Sequence, residues 1–357
     1  MSDVFPSAPA AMVTRLERDA VPAEIVDQLR AGAIVAPAEV GTIELVGAGQ
    51  GAITCFQGLL TSDIENPGDG AFVYGALLTP KGMIVVDGWA ARAGSRVRFT
   101  VPAEGRERAM LILQRSVPPR LARATDRTDE TAVLRVAGAH AVAVMGAAGI
   151  PIPQGPNHAI EGSVGGVTIE VARTSDATEP PFVFQLTLAT DQRDAMRARL
   201  RAAGAHDATS QALELARILA GWPRLSSEVD EKTIPQEVRF DEIGGVSYTK
   251  GCYTGQETVS RLHFRGHANR QLRGLLFEAD PPAAPATGWS AVTYEENEVG
   301  RVTSIAWLPD GGGSVLGRWV GLAIVRREVP VGASVRAAGR EARVVALPFD
   351  APHVGPA

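Results

Sequence analysis

Along the chain the apolar positions switch between a period of two and a period near 3.6, and the switches outline the expected elements. Residues 12–29 place apolar side chains at helical spacing on either side of Pro22, which predicts two short helices meeting at that proline. Gly41 to Val46 alternates as a strand, then turns through Gly47–Gly51 into a helix carrying Ile53, Phe56, Leu59 and Leu60 on one face. Two apolar runs, Ala71–Thr79 and Met83–Trp89, flank Pro80-Lys81-Gly82, with proline set to start a turn and glycine to finish it, so a hairpin is predicted. Arg96–Val101 reads as a strand, and a helix over Arg106–Val117 is stopped by Pro118-Pro119. A second cycle follows, with strands at Thr131–Val136, Val167–Ala172 and Phe182–Leu188, helices near Ala139–Met145 and Gln192–Ala203, and a loop over Gly155–Gly166. Ser210 is placed to cap a helix holding Leu213, Ala216, Ile218 and Leu219, which Gly221-Trp222-Pro223 ends. Leu225–Gly245 is polar and aperiodic, as expected of an extended segment crossing the surface of a central cavity. Residues 272–348 break into short apolar runs separated by Gly, Pro and Asp, the pattern of a small β-barrel or sandwich. The alternation of strands and helices predicts an α+β fold, with helices covering one face of mainly antiparallel sheets.

At 357 residues the chain exceeds what one hydrophobic core usually supports, so two or three domains are expected. Against 40 Asp and Glu there are 35 Lys and Arg, and the resulting net charge of −5 argues against gripping DNA or RNA through a general basic surface. Arginines do gather at Arg261, Arg265, Arg270 and Arg273, where an anionic ligand tail is at least as good a partner as RNA. Cys55 and Cys252 lie far apart and form no CxxC pair, which excludes a disulfide scaffold and points to reducing surroundings. No basic segment leads into an apolar run at the N-terminus, and no stretch approaches the length of a membrane span. The expectation is a cytoplasmic protein without membrane or direct DNA contacts. Residues 1–10, rich in Pro and Ala, are expected to be disordered, Pro281–Pro285 a surface loop and Ala351–Ala357 a tail.

Chemistry concentrates in Lys250-Gly251-Cys252-Tyr253-Thr254-Gly255-Gln256-Glu257. Gly251 and Gly255 let a ligand approach the main chain closely. Lys250, two residues before the thiol, would favour its thiolate, the form that attacks electrophiles or binds metal. A tight turn around a buried, inert cysteine is the alternative, and Cys55, beside an apolar helix face, is read as a small core residue. Cys252 with His263 and His267 would supply three ligands for a catalytic zinc, but Phe264 and Gly266 between the histidines weaken the helix that must align them, and no metal is expected. Asp87 lies in the second hairpin strand among Val85, Val86 and Trp89, where a carboxylate is costly unless paired or used; a frayed strand end is the alternative.

The octet resembles the signature of the YgfZ folate-binding family, relatives of the glycine-cleavage T-protein, an aminomethyltransferase. The likeness continues through Arg261–His267 and Asn269-Arg270, and it extends upstream through Gly221-Trp222-Pro223, Glu228–Glu237, Phe56–Ile64 and Leu77–Gly82. It implies a T-protein-like ring of α/β folate-binding domains followed by a small C-terminal β-barrel. In these terms residues 1–34 are an N-terminal helical extension and 35–264 the folate-binding region, in two α+β subdomains of about 35–130 and 131–264. Residues 265–350 are the barrel. The resemblance implies tetrahydrofolate or a derivative as cofactor, held by Glu228, Lys250, Gly251, Tyr253, Gly255, Gln256, Glu257 and Arg261, with Cys252 and Asp87 as the chemically active residues. Glu228 matches the T-protein glutamate that contacts the pterin ring, a task suited to a carboxylate accepting two N–H bonds. Near Asp87 the T-protein carries an acidic pair, of which the first position is Val86 here, and Gln256 stands where the T-protein has a basic residue near the folate tail. Both departures weigh against aminomethyl transfer. They favour a monomeric folate-binding accessory protein that supports assembly or repair of iron–sulfur enzymes, tRNA-modifying ones among them, with those enzymes or their assembly machinery as partners. A folate-dependent aminomethyl- or methyltransferase is the alternative.

Overall fold

The computed structural model describes residues 12–176, 179–282, 290–310 and 317–349, and their alternating patterns close into two sheets and a barrel. The first sheet is antiparallel throughout, in the order Phe72–Leu78, Ile84–Ala93, Arg96–Pro102, Val40–Gly47 and Ala122–Asp126. Helices Gly51–Gln57 and Arg106–Ser116 pack on it, with Phe56 edge-on to Phe99 at 5.2 Å. The second sheet runs His206–Asp207, Ile34–Pro37, Thr131–Ala137, Phe184–Ala189, Val167–Arg173 and His158–Val164. Helices Ala141–Ala147 and Arg193–Ala202 supply Val144, Met145, Met196 and Leu200 to its core. Six strands between Arg270 and Val345 then close a barrel, Asn297–Pro309 pairing with Ala291–Tyr294 on one side and Gly317–Arg326 on the other, which removes the open edges of the sheet. The α+β fold with a C-terminal barrel is thus as expected.

Four local expectations change. Of the two helices expected over residues 12–29 only the second forms, as Ala23–Ala31, with Pro22 in the position just before it. The first is a strand, Thr14–Leu16, which adds in parallel to the barrel strand at Ser304–Ala306 and buries Leu16. The loop expected over 155–166 contains the strand His158–Val164, which turns into Val167–Arg173 through Gly165 (φ +58°) and Gly166 (φ +81°). Two central residues at positive φ give the turn that matches strand twist, so Gly-Gly was a hairpin signal hidden by a polar strand. Ser210 does not cap its helix, Ser210–Ala220; its hydroxyl donates to Glu39 at 2.7 Å, and the N-cap position is Thr209. Finally, Leu225–Gly245 is not an extended segment: it folds into turns and the 3-10 helix Pro235–Val238, with Glu228, Val229, Val238 and Phe240 almost fully enclosed.

Residues 1–10, 351–357 and the later part of the 281–285 loop lie outside the described residues. Among those described, no helix is long and apolar enough to cross a membrane.

Candidate functional site

Where the two sheets meet the helix Ser210–Ala220 and the strand Thr14–Leu16, they leave a cavity of about 480 Å³, within the size range of small-molecule sites. Its walls are aromatic. Trp89 stacks between Phe72 (5.0 Å) and Trp222 (5.8 Å), and Phe182 meets it edge-on at 5.2 Å. Tyr74 stands across the hairpin from Trp89 in the ladder, tilts against Trp89 and meets Trp222 edge-on.

Asp87 is the polar centre of this box. Strand alternation turns it to the same face as Trp89, and the Tyr74 hydroxyl donates to its Oδ2 at 2.7 Å. Its Oδ1 is buried with no hydrogen-bond partner. Burial pushes the carboxyl up to about 6, against the opposing pull of the Tyr74 bond, and burial together with Asp87 raises the phenol well above its ordinary value. A buried polar atom left without a partner is costly, and at a cavity wall it marks a place where a ligand can donate. Val86, next in the strand, is fully buried and packs against Gly105, so no second acid is available there.

Arg217, on the helix, closes another part of the wall. Its guanidinium donates to Glu214 (2.7 Å), to Ser304 Oγ in the barrel (2.9 Å) and to Glu228 Oε2 (3.0 Å). Glu228 is fully buried, and besides Arg217 it accepts from the Arg224 backbone N–H at 3.0 Å and from Ser304 Oγ at 2.7 Å. It stands behind the cavity wall and not on it, and what it holds is Arg217.

Asp87 is the only predicted site residue that lines this cavity. The octet lies at the turn of the hairpin that carries Asp87. Gly255, at φ +83°, starts the helix Gln256–Arg265 against Pro80-Lys81-Gly82: a Cβ on Gly255 would meet the Thr79 carbonyl oxygen at 2.6 Å, and one on Gly82 (φ +87°) would meet Thr258 Cβ at 2.9 Å. Gly251 is different, exposed and with nothing within 4 Å of where a Cβ would stand, so close approach does not require glycine there. Lys250 is buried, and its Nζ donates to the carbonyls of Gln57 (2.7 Å), Leu60 (2.7 Å) and Ser62 (2.9 Å). All three N–H bonds are thereby used at the end of the helix Gly51–Gln57, a favourable place for a cation. They are not turned to the thiol, which corrects the expected role of this lysine; burial draws its ammonium down to about 8. Tyr253 is buried beneath the Lys250 ammonium, 5.2 Å from ring centre to nitrogen, and burial raises its phenol to about 12.

Cys252 is exposed, whereas Cys55 is half-buried against the core with its thiol raised by burial. Gln256 is half-buried, and Glu257 and Arg261 project outward from the helix. His263 stacks on Tyr248 at 3.6 Å and faces Asp241 at 3.3 Å. Among the described residues no group of three or more His, Cys, Asp or Glu is arranged to hold a metal ion, so Cys252, His263 and His267 do not assemble one. Sequence reasoning missed Tyr74, Phe182, Trp222, Arg135 and Arg217. Tyr74 was only partly findable: an unbroken hairpin turning at Pro80–Gly82 would set it opposite Gly88, and the bulge between Leu77 and Leu78 moves it opposite Trp89.

Comparison with known proteins agrees with this architecture. The family model described as GCVT N-terminal domain matches residues 5–243. An aminomethyltransferase of Rubrobacter xylanophilus is 30% identical over 312 residues, 86% of this chain and 80% of its own. The tRNA-modifying protein YgfZ of Sodalis glossinidius is 29% identical over 253 residues, 66% of this chain and 70% of its own. Its namesake in Vibrio atlanticus is 48% identical over a shorter stretch of 56 residues, 16% of this chain and 17% of its own. Among solved structures, the glycine cleavage system aminomethyltransferase T from Bartonella henselae superposes with a TM-score of 0.72 at 18% identity, covering 93% of this chain and 90% of its own, a likeness of fold.

Proposed function

We propose, from the premise that the chain belongs to the GCVT N-terminal domain family, that it binds a folate in the Asp87 cavity and serves tRNA-modifying and other iron–sulfur enzymes as an accessory protein. The observation that carries this reading is Asp87 Oδ1, an enclosed acceptor without a partner in an aromatic box. A reduced pterin offers what that place lacks: N–H donors along one edge for the carboxylate, and a flat ring suited to an aromatic wall. The roles of the chain's own residues follow from their contacts. Tyr74 orients Asp87, Arg217 fixes the wall, and Glu228 positions Arg217.

Accessory work is favoured over one-carbon transfer because the strand position beside Asp87 carries no acid: Val86 stands there, packed into the core. The exposed Cys252, away from the cavity lining, suits a meeting with a protein partner. Titration calorimetry with tetrahydrofolate should show binding to the wild type, weakened by about 1.5–3 kcal/mol in Asp87→Asn, the worth of hydrogen bonds to a charged group. Absence of binding to the wild type would remove the reading. Turnover in a glycine-cleavage system reconstituted with this protein in place of its aminomethyltransferase would replace the accessory role with the enzymatic one.

A further inference from the structure

One cation in the cavity wall has no ion-pair partner among the described residues. Arg135, in strand Thr131–Ala137, is half-buried, with its guanidinium 4.2 Å over the Phe182 ring. It donates through Nε (3.3 Å) and Nη2 (3.2 Å) to a single acceptor, Gln185 Oε1, and the Gln185 amide nitrogen in turn reaches Thr100 Oγ1 at 3.4 Å. The acceptor is a neutral amide, so this chain aims the guanidinium without cancelling its charge. The other cavity arginines differ: Arg217 is paired with Glu214 and Glu228, and Arg224 with Glu104 and Glu214. Among the described residues Arg135 has no carboxylate within 4.0 Å. Of the five N–H bonds a guanidinium carries, those not spent on Gln185 remain for something else. Burial draws its pKa down to about 10, which still leaves a cation at neutral pH.

An unpaired charge in a partly enclosed wall costs stability, and the fold retains it beside an unpartnered acceptor in the same cavity. We propose that Arg135 is an anion subsite, which receives a carboxylate carried by the ligand while Asp87 receives the ligand's N–H donors. This rests on the cavity being the folate site and adds a specificity-determining residue to it: Arg135 would read the carboxylated tail that separates a folate from a free pterin. A planar guanidinium matches a carboxylate with two parallel bonds, which an ammonium cannot do.

The test compares tetrahydrofolate with its dimethyl ester, in which both tail carboxylates are masked and the ring is unchanged. Wild-type protein should bind the free acid about 10- to 100-fold more tightly than the ester. Arg135→Gln should lose that preference by weakening only the acid, while Arg135→Lys should keep part of it. Melting of the ligand-free protein provides the control, because removal of an unpaired charge should leave the Arg135→Gln midpoint at or above that of the wild type. If the wild type binds acid and ester equally, or Arg135→Gln weakens both alike, the anion subsite is wrong and the folate reading survives. A ligand-free midpoint well below that of the wild type, with the preference intact, would make Arg135 a structural residue. If the wild type binds neither compound, both readings fall.

Discussion

A carboxyl group enclosed as Asp87 is, with one oxygen bonded to Tyr74 and the other bonded to nothing, leaves a signature in the stability of the whole protein. Its folded pKa of about 6 lies above its unfolded value, so between roughly pH 4 and 6 the folded state holds a proton that the unfolded state has lost. Stability contributed by Asp87 must therefore fall as pH rises through this window and level off above it, by up to about 3 kcal/mol at about 1.4 kcal/mol per pH unit. Urea unfolding of the wild type and Asp87→Asn across pH 4–7 should show a difference that favours the wild type most at the acid end; a difference flat with pH would mean that the carboxyl titrates normally. Asp87 was legible from sequence because an acid in an apolar run has to be explained. The real positions of Glu228 and Lys250 were not, because each is fixed by a partner far away along the chain: Ser304 is 76 residues from Glu228, and Gln57 is 193 from Lys250. A charged residue in a motif reads the same whether it meets a ligand or a distant carbonyl.

The hairpin Phe72–Ala93 is the element that brings cavity and octet into one structure, with Asp87 on its shaft and Gly82 at its tip. The tip docks where two backbones touch, so the two octet glycines should behave oppositely. Gly255→Ala, strained at φ +83° and driven into the Thr79 carbonyl, should cost about 2–4 kcal/mol, whereas Gly251→Ala should fall within about 0.5 kcal/mol of the wild type. Chemical denaturation of both variants decides this, and equal effects would refute the docking. Long, strongly periodic elements such as this hairpin and the helix Ser210–Ala220 were readable from sequence, since their patterning is local. The short strands Thr14–Leu16 and His158–Val164 were not, because three residues set no period and a half-exposed strand carries too little apolar contrast.

At the scale of the molecule, the buried cluster of Arg217, Glu228 and Ser304 joins the helix beside the cavity, the segment after it and the barrel. Glu228→Ala would leave Glu214 as the one carboxylate on Arg217 and the Arg224 N–H without its acceptor, and should cost about 1–3 kcal/mol, as buried groups left without a partner do. In a double-mutant cycle with Ser304→Ala the two losses should be non-additive by about 0.5 kcal/mol or more; strict additivity would show that the barrel is not held through this cluster. The strand Thr14–Leu16 makes a second tie, and it has a consequence for synthesis on the ribosome. It is among the first described segments to be translated, yet its partner at Ser304–Ala306 follows about 290 residues later, a wait of roughly 15–60 s at ordinary elongation rates. Until then one wall of the cavity has nothing to hold it in place, so a nascent chain can form both sheets while remaining unable to hold a ligand, and competence to bind arrives only after the strand at Ser304–Ala306 has been made.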